Sequence, residues 1–134
     1  MSKRNRNLDE SVEGLEEIQA TIDSGEELSE EQMDTVIEMG MDVGSDGALV
    51  MSENVSPEEV LWAVKAGRDI NTLVSPGKKG VTNAQMIPAM KLAVDEQDLQ
   101  ALDLLKQYYA EVFHSSIKYI GKDRQIKILE LGYN

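Results

Sequence analysis

The stretch from Asn7 to Val64 carries seventeen acidic side chains and not one Lys or Arg. A block so charged has two fates: a solvated, disordered tail, or a folded segment that wears its charge outside and keeps an apolar stripe inside. The stripe is present. Leu8, Val12, Leu15, Ile18 and Ile22 fall at i, i+4, i+7, i+10 and i+14, one face of a helix, with Asn7 and Glu10 as its cap and Gly25 as its stop. Asp9, Glu13, Glu16 and Glu17 then take the outer faces.

The rest of the chain is charged differently. Met1 to Arg6 holds three bases and no acid, and Lys65 to Asn134 holds ten bases against eight acids, so the net charge of −12 is polarised along the sequence. Such a balance opposes non-specific binding to nucleic acid or to an anionic membrane and favours a basic partner. With 134 residues the chain can bury one real core. It has no cysteine, which excludes a disulfide framework and a thiolate metal site. No apolar run reaches the roughly 20 residues that span a bilayer, and the basic opening lacks the apolar core of a secretory signal. The expected location is cytoplasmic, or inside a virion assembled there.

Three later segments share one grammar. Leu28-Ser29 with Gln32 and Met33, Val55-Ser56 with Glu59 and Val60, and Val81-Thr82 with Gln85 and Met86 each offer an N-cap hydroxyl, a capping-box partner and an apolar pair for a hydrophobic staple. They predict helix starts 27 and 26 residues apart. The first two units also end alike, at Gly40 and Gly67, where left-handed C-caps are expected. Capping chemistry alone produces this likeness, so a true helical repeat is the lesser reading.

The second helix, about 30–39, should bury Met33, Val36 and Ile37. The third, about 57–66, has Pro57 at its favoured first position and is apolar on nearly every side. Trp62 points away from Val60 and Val64 there, which suits an interface anchor, although the core is the commoner place for the lone Trp of a small protein. Residues 68–80 read as a connector with a Pro-Gly turn and Lys78 and Lys79 at its tip. Two helices follow, about 84–94 and 96–113, with Pro88 marking the start of the first or a bend in it. A short helix around 116–120 and a helix or edge strand in QIKILEL complete the chain.

Several constellations resemble sites of chemistry. Asp42 to Glu53 partly matches a twelve-residue calcium loop, with Asp42, Asp46, Gly47, Leu49 and Glu53 in register. But Gly44 stands at position 3 and Val50 at position 9, and Ser56-Pro57 opens a new helix where the exit helix should be running. A Ser-Asp-Gly turn followed by a short ALVM strand fits better. PGKKGVT is not a P-loop, because Thr72 stands where the first Gly is required and Lys79 follows the lysine. His114, the only histidine, has Ser115 and Ser116 beside it but no nucleophile-elbow context and no group to orient a base. Neither an enzyme nor a cofactor is expected. For nucleic acid the sole candidate is the C-terminal run of Lys118, Lys122, Arg124 and Lys127, far less basic than such sites usually are.

The expected fold is all-α: a compact bundle of five to six short helices, with a minor strand or hairpin at 48–51 or 125–131. The expected organisation is a flexible basic arm (1–6) and one helical domain (7–134), made of an acidic half (7–67), a connector (68–81) and an aliphatic half (82–134). The leading functional expectation is a subunit or adaptor of a larger assembly, in the style of small, acidic, methionine-rich accessory proteins of phages. Glu13, Glu16, Glu17, Glu30, Glu31, Asp34 and Trp62 would meet a basic protein surface, and the bases named above a second one. Charge polarity also permits head-to-tail contact between copies, closing into rings or running into filaments. The alternative is an acidic mimic of nucleic acid that blocks a DNA- or RNA-binding protein; the third reading is a nucleic-acid-associated factor working through the C-terminal bases.

Overall fold

A computed structural model describes residues 14–43, 49–51, 56–73 and 80–133. Among these residues the chain is helical apart from one small hairpin. The helices are α1 (14–23), α2 (Glu30–Glu38), α3 (Pro57–Lys65), α4 (Asn83–Asp95), α5 (Leu99–Tyr108), α6 (Ala110–Ser116) and α7 (Lys122–Glu130). Two 3₁₀ turns, Ile70–Leu73 and Ile117–Tyr119, link α3 to α4 and α6 to α7. Strands β1 (Met41–Val43) and β2 (Leu49–Met51) pair antiparallel, Asp42 opposite Val50. Of the two places expected for a strand, 48–51 has one, whereas QIKILEL lies in α7 and its turn.

The helix starts follow the capping chemistry. Ser29 Oγ accepts from the Gln32 N–H at 3.1 Å while the Gln32 side chain accepts from the Ser29 N–H at 3.0 Å, a complete capping box, and the flanking Leu28 and Met33 are both buried. Ser56 accepts from the Glu59 N–H at 3.2 Å with Pro57 in the first turn. At α4 the Gln85 side chain accepts from the Thr82 N–H at 3.3 Å, and the Thr82 hydroxyl donates elsewhere, to Asp42. Gly40 and Gly67 take φ of +68° and +76°, the left-handed stops expected after α2 and α3. Asn7, Val55 and the basic arm lie outside the described residues.

Helix α4 is the centre. It packs against α2, α3, α5, α6, α7 and β1, and Met86, Ile87, Ala89, Met90 and Ala93 have no exposed surface. Pro88 sits inside α4, five residues after its start, so the expectation that the helix begins near it is corrected: Thr82 and Gln85 fix the start, and the ring is accommodated at the cost of the bond to the Ala84 carbonyl.

A second correction concerns 96–113. Glu96, Gln97 and Asp98 form a turn, not a helix. Gln97 adopts φ +54°, its N–H reaches the Val94 carbonyl (3.1 Å), and the Asp98 N–H reaches that of Ala93 (2.8 Å), a Schellman-type stop without glycine. The helix beyond then breaks at Tyr109 (φ −133°, ψ +40°) into α5 and α6. The break coincides with a distant bond: the Tyr109 hydroxyl accepts from the Ile70 N–H at 3.0 Å and donates to Asp69 at 3.3 Å. This pulls the connector onto the bundle and seats Ile70 in the core with no exposed surface.

Candidate docking surface

In the described part of the acidic half, the fold gives each helix an inner stripe. Ile18 of α1, Met33 and Val36 of α2, and Val60, Leu61, Ala63 and Val64 of α3 are buried in the common core. Their carboxylates are left outside. Glu16, Glu17, Asp23, Glu26, Glu30, Glu31, Glu38, Glu58 and Glu59 are all exposed, and among the described residues none of these nine forms an ion pair. Glu30, Glu31, Glu58 and Glu59 occupy first helical turns, where the macrodipole favours a negative charge. Asp23 and Glu38 occupy last turns, where the same dipole disfavours one. Asp23 accepts from the Gln19 side chain one turn earlier at 3.0 Å, which offsets its position, so local helix stability accounts for all of these helix-end acids but Glu38.

The basic residues are spent differently. Lys118 pairs with Glu27, Lys91 with Asp34 (3.6 Å) and Lys65 with Asp98 (2.7 Å). Arg124 grips Asp95 with two bonds, Nε to Oδ1 at 2.9 Å and Nη2 to Oδ2 at 2.8 Å. The Arg68 guanidinium lies 5.1 Å from the centre of the Trp62 ring, and Lys106 Nζ lies 5.7 Å from that of Tyr133. Of the eight bases described, only Lys122 and Lys127 have no such partner among the described residues. The bonds leave their mark on titration: hydrogen bonding to Arg124 holds Asp95 below the usual carboxylate range, and hydrogen bonding to Glu27 lifts Lys118 above the usual amine range. For Asp98 burial pushes upward, but the bonds from Lys65 and the Ala101 N–H outweigh it and lower the carboxyl.

The residues expected at a partner surface thus separate. Glu16, Glu17, Glu30 and Glu31 are exposed on α1 and α2; Asp34 is half-buried against Lys91. Lys118 and Arg124 serve the fold itself, joining the segment before α2 to the 3₁₀ turn Ile117–Tyr119 and α4 to α7 respectively. Glu13, Lys78 and Lys79 lie outside the described residues. Trp62 is 57 % exposed, so the commoner expectation, a core tryptophan, is corrected. The residues around it on α3 fill the core, and the helical turn leaves its own direction to solvent.

Two further places could carry chemistry. A cavity of about 570 Å³ lies where β1, the start of α4 and the α5–α6 junction meet, lined in part by Asp42, Thr82, Asn83, Tyr109 and Glu111. Much of its polar wall is mutually bonded: Asp42 accepts from the Thr82 hydroxyl at 2.6 Å and the Val43 N–H at 2.8 Å, and Asn83 donates to Ser115 and Ser116 at 2.9 and 2.8 Å. Asp42, the first position of the calcium-loop match, is therefore a buried brace between the hairpin and α4; residues 44–48 and 52–53 of that loop lie outside the described residues. His114 is exposed and meets Phe113 edge-on, and no hydrogen bond among the described residues joins it to Ser115 or Ser116. No group of three or more metal-binding side chains occurs among the described residues, and no helix there is long and apolar enough to cross a membrane.

No family model, curated protein or solved structure matches the chain.

Proposed function

We propose that this protein is a non-enzymatic interaction protein, a subunit or adaptor of a larger assembly, that docks on a basic protein surface through the exposed acids of α1, α2 and α3. One observation carries the reading: nine exposed carboxylates are left without ion pairs, while six of the eight described bases are engaged within the chain. Glu38 adds weight, since it opposes its helix dipole at a cost of about 0.3–1 kcal/mol. A carboxylate that weakens its own helix is explained by a charge outside the molecule. The mixed surface of the C-terminal half leaves it to act as scaffold.

Affinity capture from a host lysate tests this with the wild-type chain and a variant carrying Glu16→Gln, Glu17→Gln, Glu30→Gln and Glu31→Gln. Basic proteins should be retained by the wild type at low salt, released as salt rises, and lost from the variant. Equal retention by both would sink the reading. If the retained proteins are nucleic-acid binders, the acids act as a mimic of phosphates.

A further inference from the structure

Trp62 occupies a position that the core does not need. Its neighbours Leu61, Ala63 and Val64 are each under 5 % exposed, yet more than half of the only tryptophan faces solvent. Beside it lies a depression of about 460 Å³ lined by Glu59, Trp62, Ala63, Arg68, Asp69 and Thr72. Glu59 stands three residues before Trp62, so the carboxylate and the indole are neighbours on one helical face.

The ring is already held in place and already binds a cation. Gly67 turns the chain back on itself in the left-handed conformation, and the Arg68 N–H bonds the Ala63 carbonyl at 2.9 Å. That reversal carries the guanidinium to 5.1 Å from the ring centre. A ring fixed before binding loses less entropy when a partner covers it. Around it the charge is acidic: Glu58 and Glu59 are exposed without ion pairs among the described residues, whereas Asp69 is committed to the Asn71 N–H (2.9 Å) and the Tyr109 hydroxyl (3.3 Å). The group that answers an exposed indole beside a free carboxylate is a guanidinium: planar, weakly hydrated, able to stack on the ring and to bond the carboxylate at once.

Resting on the docking reading above, we propose that the Trp62 depression is the anchor of that docking, receiving an arginine-bearing segment of the basic partner between the indole and Glu59. Arg68 orients the ring while its remaining surface takes the incoming side chain. Aromatic residues at the centre of interfaces carry a disproportionate share of affinity, and the acids elsewhere on α1 and α2 then contribute attraction and rate.

An octa-arginine peptide is a suitable probe, titrated at several salt concentrations. As Trp62 is the only tryptophan, its emission reports on the site directly. Binding should change that emission. Trp62→Ala should weaken affinity about tenfold, the scale of a single anchor residue, and leave the salt dependence intact because no charge is removed. Glu59→Gln should weaken binding and flatten the salt dependence. Octa-lysine should bind the wild type more weakly than octa-arginine, and the two peptides should converge on Trp62→Ala. If octa-arginine binds with unchanged emission and Trp62→Ala binds as well as wild type, the anchor is overturned while the acidic docking face stands. If the wild type binds no peptide at low salt, both fall. The emission of the wild type needs no variant, so the test survives any folding defect in Trp62→Ala.

Discussion

The two halves of this molecule meet in one core and carry charge in different balance. From α4 onward acids and bases are mixed: Arg124 grips Asp95 and Tyr133 donates to Asp103 at 2.5 Å, while Glu96, Glu111, Asp123 and Glu130 are exposed without ion pairs among the described residues, beside Lys122 and Lys127. In α1 to α3 the apolar stripe is spent on the core just as fully, with Val36 and Val60 buried, but nine carboxylates are left facing out. Apolar burial is thus a property of the whole chain, whereas uncompensated negative charge is concentrated in α1 to α3. Substitution should separate the two.

The largest effect belongs to the shared core. Leu102→Ala, at a site with no exposed surface, should cost about 2–5 kcal/mol in urea unfolding, while Glu30→Gln should stay within about 0.5 kcal/mol. If both proved equally costly, the acidic half would be structural, and the contrast would fail. Next comes the alkaline limb. Burial, reinforced by its bond to Asp103, pushes the Tyr133 phenol up to about 12. A group raised in the folded state stabilises fully below its ordinary value near 10 and loses that contribution as pH climbs from there through the folded value. The loss should approach about 2–3 kcal/mol. Tyr133→Phe should show a shallower decline over that window, with Tyr109 and Tyr119, also raised by burial, supplying the remainder.

Smaller effects sharpen the contrast further. Gln97→Gly should stabilise the α4–α5 turn by up to about 1 kcal/mol, because φ +54° strains a side-chain-bearing residue and suits glycine. A thermal melt would register it at any salt concentration. Glu38→Gln, at the end of α2, should add about 0.3–1 kcal/mol at low ionic strength and less as salt screens the dipole. An identical salt response in the two variants would erase the electrostatic distinction between the halves.

Local signals in the sequence were legible wherever the chemistry was local. Ser29 with Gln32, Gly40 and Gly67 mark α2 and α3 to within a residue or two, because caps and left-handed stops depend on neighbours a few positions away. The end of α4 carries a Schellman-type stop with Gln97 in place of glycine, which no sequence signal advertises. The break at Tyr109 accompanies a bond to Ile70, thirty-nine residues earlier, and the core seat of Ile70 was hidden by the polar connector around it. For the candidate surface, the acids were visible from composition alone. The internal engagement of Lys118 and Arg124 was not, since their partners Glu27 and Asp95 lie 91 and 29 residues away. The exposure of Trp62 was legible as one of two readings, from its direction away from Val60 and Val64; what decides it is how α3 seats Leu61, Ala63 and Val64 against the core.

The most direct measurement is an amide chemical-shift map of the ¹⁵N-labelled protein titrated with octa-arginine at low and high salt. Perturbations gathered on α1, α2 and α3, including the residues around Trp62, and fading as salt rises, are the expected result. Perturbations centred on α5 to α7, or none at low salt, would contradict the assignment of docking to the acidic half.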